Sequence, residues 1–112
     1  GISGISDNIR VRSVLGRFLE HMRVYCFGAG EDRKVFLSSA DWMDRNFFRR
    51  VEACFPVRDS ALAERVYREG LAKYLDDNTQ AWELLKDGTY KKLKSRGKPY
   101  SAQMALMESL SE

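Results

Sequence analysis

Arg23-Val24-Tyr25-Cys26-Phe27-Gly28-Ala29-Gly30-Glu31-Asp32-Arg33-Lys34-Val35-Phe36-Leu37-Ser38 sets two short apolar runs, β-branched and aromatic, around a glycine-rich connection. That is the pattern of two strands joined as a hairpin. Ahead of it, Ile9-Arg10-Val11-Arg12-Ser13-Val14 alternates apolar with polar residues and predicts a half-buried strand, followed by a turn or short helical bend over 15–20 begun at Gly16. Behind it, Ser39 and Asp41 are placed to cap a short helix running to about Phe48. Arg50-Val51-Glu52-Ala53-Cys54-Phe55 alternates again as a fourth strand, stopped by Pro56.

From Asp59 the pattern turns helical. Leu62, Ala63, Val66, Tyr67, Leu71, Tyr74 and Leu75 recur at helical spacing behind an Asp59 or Ser60 cap, predicting one amphipathic helix of about four turns. Trp82 and Leu85 predict a shorter helix opened near Asn78-Thr79 and closed by Gly88. A last helix from Ser101 carries Met104, Met107 and Leu110, with Met104 and Met107 as packing residues. The expectation is an α/β domain with a small mixed β-sheet flanked by helices and a helical C-terminal tail. It is a single domain over 1–112, with a sheet core holding the site motifs in 1–58 and a helical part in 59–112.

Composition bounds the function. A length of 112 residues supports one modest core, and 44% hydrophobic with 12% aromatic content excludes a chain disordered throughout. No apolar run approaches the roughly 20 residues of a spanning helix, and the N-terminus lacks the regions of a signal peptide. A soluble, cytoplasmic protein is expected. The opening Gly/Ser/Ile-rich residues, without an initiator Met, read as a loop cut from a longer chain. Cys26 and Cys54 lack CxxC spacing and sit in strand-like runs, so buried free thiols are expected. With one His and two scattered Cys, no metal site is expected. A net charge of +3 permits a polyanionic partner without demanding one, because 16 acidic residues are mixed among the 19 Lys and Arg.

The chemistry-bearing cluster is Gly16-Arg17-Phe18-Leu19-Glu20-His21-Met22-Arg23, with Ser38-Ser39-Ala40-Asp41-Trp42-Met43-Asp44-Arg45-Asn46 and Arg49-Arg50. His21 can give or take a proton near neutral pH. Arginines at 17, 23, 45, 49 and 50 offer planar forks that match phosphate oxygens, and Ser38 and Ser39 offer neutral donors at a turn. Alternation along the fourth strand puts Arg50 on one face with Glu52 and Cys54. Together they describe a phosphate site. The competing reading makes His21 structural and pairs the arginines with Glu20, Glu52 or Asp41.

The string from Asn8 through Phe18-Leu19-Glu20-His21, then Phe27-Gly28, then Ser39-Ala40-Asp41-Trp42-Met43-Asp44-Arg45-Asn46 and Arg49-Arg50-Val51-Glu52 resembles the last domain of the bacterial, long-chain-synthesising polyphosphate kinases. The resemblance runs from about residue 4 to the end of the fourth strand and more loosely through the C-terminal helices. It implies a phospholipase D-like domain of a cytoplasmic bacterial enzyme that moves the terminal phosphate of ATP onto polyphosphate, reversibly, through a phosphohistidine. The phosphorylated histidine is implied to lie in the preceding domain, which this chain lacks. His21 matches the family's second, assisting histidine, which faces the nucleotide phosphates, and Arg50 matches an arginine that contacts them. Arg17, Arg23, Arg45 and Ser39 are further phosphate-binding candidates by proximity in the motif.

The implied partners are ATP or ADP, polyphosphate, the remaining domains of the same chain and further copies in a homo-oligomer. Nucleic acid is not an expected partner. Mg²⁺ is implied for the full-length enzyme, with no carboxylate cluster here to hold it. The wider phospholipase D pattern, His-x-Lys with Asp four residues on, is absent: His21-Met22-Arg23 is followed by Gly28 at that place, and its Gly-Ser pair is Ser38-Ser39. That departure favours the kinase branch over a phosphodiesterase. The isolated 112 residues are expected to be inactive. The alternative is a non-catalytic polyanion- or nucleic-acid-binding module that uses the same arginines and the basic run from Lys91 to Lys98. Trp42 and Trp82 are read as core residues.

Overall fold

The protein is described by a computed structural model covering residues 1–95 and 97–111, so Arg96, within the basic run, lies outside the described residues. Contacts divide the chain into two compact units, Glu20–Ala72 and Gly1–Leu19 with Lys73–Glu112.

In the Glu20–Ala72 unit, β2 (Val24–Phe27), β3 (Lys34–Ser38) and β4 (Cys54–Pro56) form an antiparallel sheet in that order, with Cys26 opposite Val35 and Leu37 opposite Phe55. The hairpin stands as predicted: Gly28 and Gly30 take φ of 79° and 58°, which a side chain would strain, around a 3₁₀ turn at Gly30–Asp32. Val35 on the central strand is buried. The fourth strand is shorter than expected. Arg50 ends the preceding helix and Val51–Ala53 make no ladder, while Pro56, lacking an N–H, sits within the edge strand rather than after it.

Two helices complete this unit. Helix α1 (Asp44–Arg49) starts behind Met43, which makes no side-chain cap, so Ser39 and Asp41 do not cap it. Their side chains are taken by other partners. Helix α2 (Ser60–Tyr67) is capped by Asp59, whose Oδ1 accepts from the Leu62 N–H at 2.8 Å. The predicted four-turn helix is present but not uniform, because Arg68–Ala72 widen into a π-helical turn before α3 (Lys73–Asp76). Gly70 lies in that turn, where a Cβ would come within 2.9 Å of Val24 Cγ2.

The other unit holds a second antiparallel sheet, β1 (Arg12–Val14), β5 (Ala81–Leu84) and β6 (Tyr90–Lys92), in the order β1-β5-β6. The single small mixed sheet is therefore replaced by two antiparallel ones, and the helix expected around Trp82 is a hairpin. Asp87 Oδ1 accepts from the Thr89 N–H and hydroxyl, Gly88 takes φ of 84°, and the Leu85 N–H donates to the Thr89 carbonyl at 2.8 Å. Asp87-Gly88 is the turn signal; the Trp82 and Leu85 spacing concealed it, and pairing of Ser13 with Trp82 decides for strand.

Helix α4 (Ala102–Leu110) follows Ser101 as predicted, yet Ser101 does not cap it. Asp77 does so instead. This carboxylate, 1% exposed, accepts from the N–H groups of Thr79, Gln80 and Ala102, tying the end of α3 to the start of α4. Gly16 makes room for Gln103, whose amide accepts from the Phe18 N–H at 3.0 Å and donates to the Phe18 carbonyl at 2.9 Å.

Among the described residues no helix is long and apolar enough to cross a membrane.

Candidate functional site

The pairing of β2 with β3 sets Val24 opposite Leu37, and β3 with β4 sets Ser38 opposite Cys54. Residues 21–23 enter this sheet, 38–41 leave it and 50–53 lead back into it at one and the same end. The Ser38 N–H donates to the Arg23 carbonyl, and the Ser39 N–H to the Ala53 carbonyl, both at 3.0 Å. Three segments that sequence spacing grouped only by motif thus meet through the antiparallel ladder.

Arg23 is the hub of the first two. Its Nε donates to Asp41 Oδ1 at 2.7 Å and its Nη1 to the His21 carbonyl at 3.0 Å. The hydrogen bond from Arg23, above all, holds the Asp41 carboxyl below the usual carboxylate range, and Asp41 in turn raises the Arg23 guanidinium further. Asn46, buried on α1, donates from Nδ2 to the Asp41 carbonyl at 3.0 Å, so the loop carrying Asp41 is held from a second side. Arg45 Nη2 stands 4.0 Å from Asp41 Oδ2 and is mostly exposed. The His21 imidazole itself is exposed.

Ser39 is engaged as well. Its hydroxyl donates to Glu52 Oε2 in a short hydrogen bond and accepts from the Ala53 N–H at 3.0 Å, clasping the loop after β3 to the segment before β4. Beside this clasp opens a cavity of about 460 Å³ lined by Arg50, Glu52, Ser38, Tyr25, Trp42 and Asn46, among others. Arg50, Glu52 and Cys54 do share it, though Arg50 reaches it from the end of α1 rather than from a strand. Trp42 forms its rim: 78% exposed, it donates from Nε1 to the Tyr25 hydroxyl at 2.7 Å and meets Phe47 edge-on.

The placement of the predicted residues is therefore uneven. His21, Arg23, Ser39, Arg45 and Arg50 fall in the Glu20–Ala72 unit, but only Arg50 of these lines the cavity. Arg17 belongs to the other unit, its guanidinium carbon 5.6 Å from the Phe18 ring centroid. Trp42 is not a core residue, and Met104 and Met107 are more exposed than packing residues would be. Cys26 and Cys54 are free, as expected, yet Cys54 is exposed. Asn46 stands in the motif but carries no assigned role in the sequence; an amide between Met43 and Phe47 on a short helix was its only signal.

Among the described residues no three His, Cys, Asp or Glu side chains gather where they could hold a metal ion. Asp41 and Glu52 are already occupied by Arg23 and Ser39. The arrangement does not fit a Mg²⁺ site.

Comparison with known proteins agrees with the motif and the geometry. The family model described as polyphosphate kinase C-terminal domain 2 matches residues 1–103. The polyphosphate kinase of Xylella fastidiosa (strain Temecula1) is 56% identical and that of Pseudomonas aeruginosa PAO1 54% identical, each over 98% of this chain and 16% of the relative. The crystal structure of polyphosphate kinase from Porphyromonas gingivalis superimposes with a TM-score of 0.84 at 38% identity, covering 95% of this chain and 16% of that one. The chain thus spans about one sixth of the length of these relatives. Its α/β fold is that of the matched part of a polyphosphate kinase, and the chain belongs to the polyphosphate kinase C-terminal domain family.

Proposed function

We propose that this chain acts as the C-terminal catalytic-site domain of a cytoplasmic, oligomeric polyphosphate kinase, holding the phosphates of ATP at the sheet end where His21, Arg50 and their supporting loops converge. The observation that carries the reading is this convergence of the 21–23, 38–41 and 50–53 segments in a chain of this family. In the reaction the bond between the terminal phosphorus and the β–γ bridging oxygen breaks. Phosphorus becomes bonded to a histidine nitrogen on a segment outside this chain, ADP departs, and an oxygen of the polyphosphate terminus then takes the phosphoryl group and frees the histidine. Any Mg²⁺ used by the full-length enzyme would be held by groups other than those described here.

Such transfer spreads charge over the equatorial oxygens, so the protein contributes mostly by positioning and cationic stabilisation. Arg50, always charged, binds the phosphates, and His21 as imidazolium donates to the oxygen on which charge develops. Arg23 and Ser39, bound within the protein, shape the loops. In a full-length polyphosphate kinase carrying this domain, His21→Ala is expected to lower kcat by about 10²–10³-fold. Arg50→Ala is expected to raise the KM for ATP by about tenfold or more. Turnover near the parental value in both variants overturns the reading and leaves a polyanion-binding module.

A further inference from the structure

Arg23 does not present its guanidinium to a ligand alone. One edge is bound to Asp41 at 2.7 Å while Nη1 holds the carbonyl of His21 at 3.0 Å. That carbonyl belongs to a segment outside regular structure, two residues before the hydrogen bond from the Ser38 N–H to the Arg23 carbonyl. The imidazole is exposed, so burial does little to fix its direction. What the described contacts hold here is the backbone, and they hold it through a chain: α1 through Asn46 to the Asp41 carbonyl, the Asp41 carboxylate to Arg23, and Arg23 to His21.

We propose that Arg23 and Asp41 are positioning residues, a charged clamp that sets the backbone of His21 and hence the direction from which its imidazole meets the phosphoryl group. The proposal rests on the reading of His21 given above. A fork is required for the task. Guanidinium presents Nε–H and Nη–H donors in fixed directions, so one side chain satisfies a carboxylate and a carbonyl at once. The ammonium of a lysine keeps the charge but not that geometry. Asp41 is needed because it orients the fork; an amide in its place keeps the shape but removes the carboxylate charge and with it the ion pair. A displacement of about 1 Å in a group that meets the reacting atoms costs about 10²-fold in rate, which sets the scale of the effect.

The test is a cycle in the full-length enzyme, with kcat and the KM for ATP measured at saturating polyphosphate. Arg23→Lys and Asp41→Asn are each expected to lower kcat by about 10–100-fold with the KM for ATP changed less than threefold. Combined with His21→Ala, Asp41→Asn is expected to lower kcat by less than threefold more, since the group it positions is gone. If Asp41→Asn is as harmful without His21 as with it, or harmless in the parent, the clamp is overturned. If Arg23→Lys keeps parental kcat, the fork geometry is overturned, and that variant retains the cation should Asp41→Asn fail to fold. A harmless His21→Ala instead overturns the functional reading, an outcome that the cycle separates from failure of the clamp.

Discussion

Asp41 shows how one side chain can be legible as a type and illegible as a role. Its place after two serines suggests a helix cap, and its charge suggests a counterion for a nearby arginine; both uses suit a carboxylate. The ladder that sets Arg23 beside it selects the second. The ion pair carries a pH signature. Because the carboxyl is held below its ordinary value chiefly by the Arg23 hydrogen bond, its contribution is complete above about pH 4 and is lost as pH falls through the lowered value. In the full-length protein, hydrogen exchange over residues 38–47, corrected for intrinsic rates, is expected to differ between parent and Asp41→Asn at pH 6 and to converge as pH falls through the lowered value. A difference that persists unchanged into acid removes the charge from the explanation. Ser39 teaches the same lesson: a hydroxyl foreseen as a phosphate donor is bound to Glu52 and Ala53.

At the scale of elements, single polar side chains tie one element to the next. Asp77 is the clearest case, a buried carboxylate accepting three backbone N–H groups, from Thr79, Gln80 and Ala102. Asp77→Ala removes the cap of α4 and leaves donors without partners, a loss of about 3 kcal/mol. Protection from hydrogen exchange at 77–80 and 102–105 is expected to fall by about 10²-fold in the full-length protein. Asp77→Asn, which retains an acceptor, is expected to recover part of it. Unchanged protection in Asp77→Ala contradicts this role. The sequence carried no warning, because Ser101 stands at the N-cap position and Asp77 lies 25 residues before Ala102. By contrast the Asp59 cap was legible, being local to the helix it starts.

Across the whole molecule, burial is sparse. Among the described residues the buried hydrophobic side chains are Val35, Ala40, Ala81 and Ala102, while Leu19, Phe48 and Val51 are more than four-fifths exposed. So little apolar area leaves water that the hydrophobic driving force, at roughly 25 cal/mol per Å², has little to set against chain entropy. The 112 residues expressed alone are expected to bind apolar dyes and to unfold over a broad, weakly cooperative transition, without ATP-dependent polymer formation. A sharp transition from a monomer that binds no dye, or polymer made by the isolated chain, contradicts the expectation.

The sequence by itself determined what depends on neighbours along the chain: the β2–β3 hairpin, the Asp59-capped helix, the terminal helix, the free thiols and the motif segments that identify the family. These follow from local period, turn chemistry and residue order. Tertiary structure alone decided that Trp82 lies on a strand, that the sheet is two, that Arg23 grips Asp41 and His21, and that Arg50 faces the cavity while Arg17 belongs to the other unit. A three-residue apolar spacing serves a helix or a strand until a partner strand supplies its hydrogen bonds. An arginine matches any carboxylate or carbonyl until strand register brings one within reach.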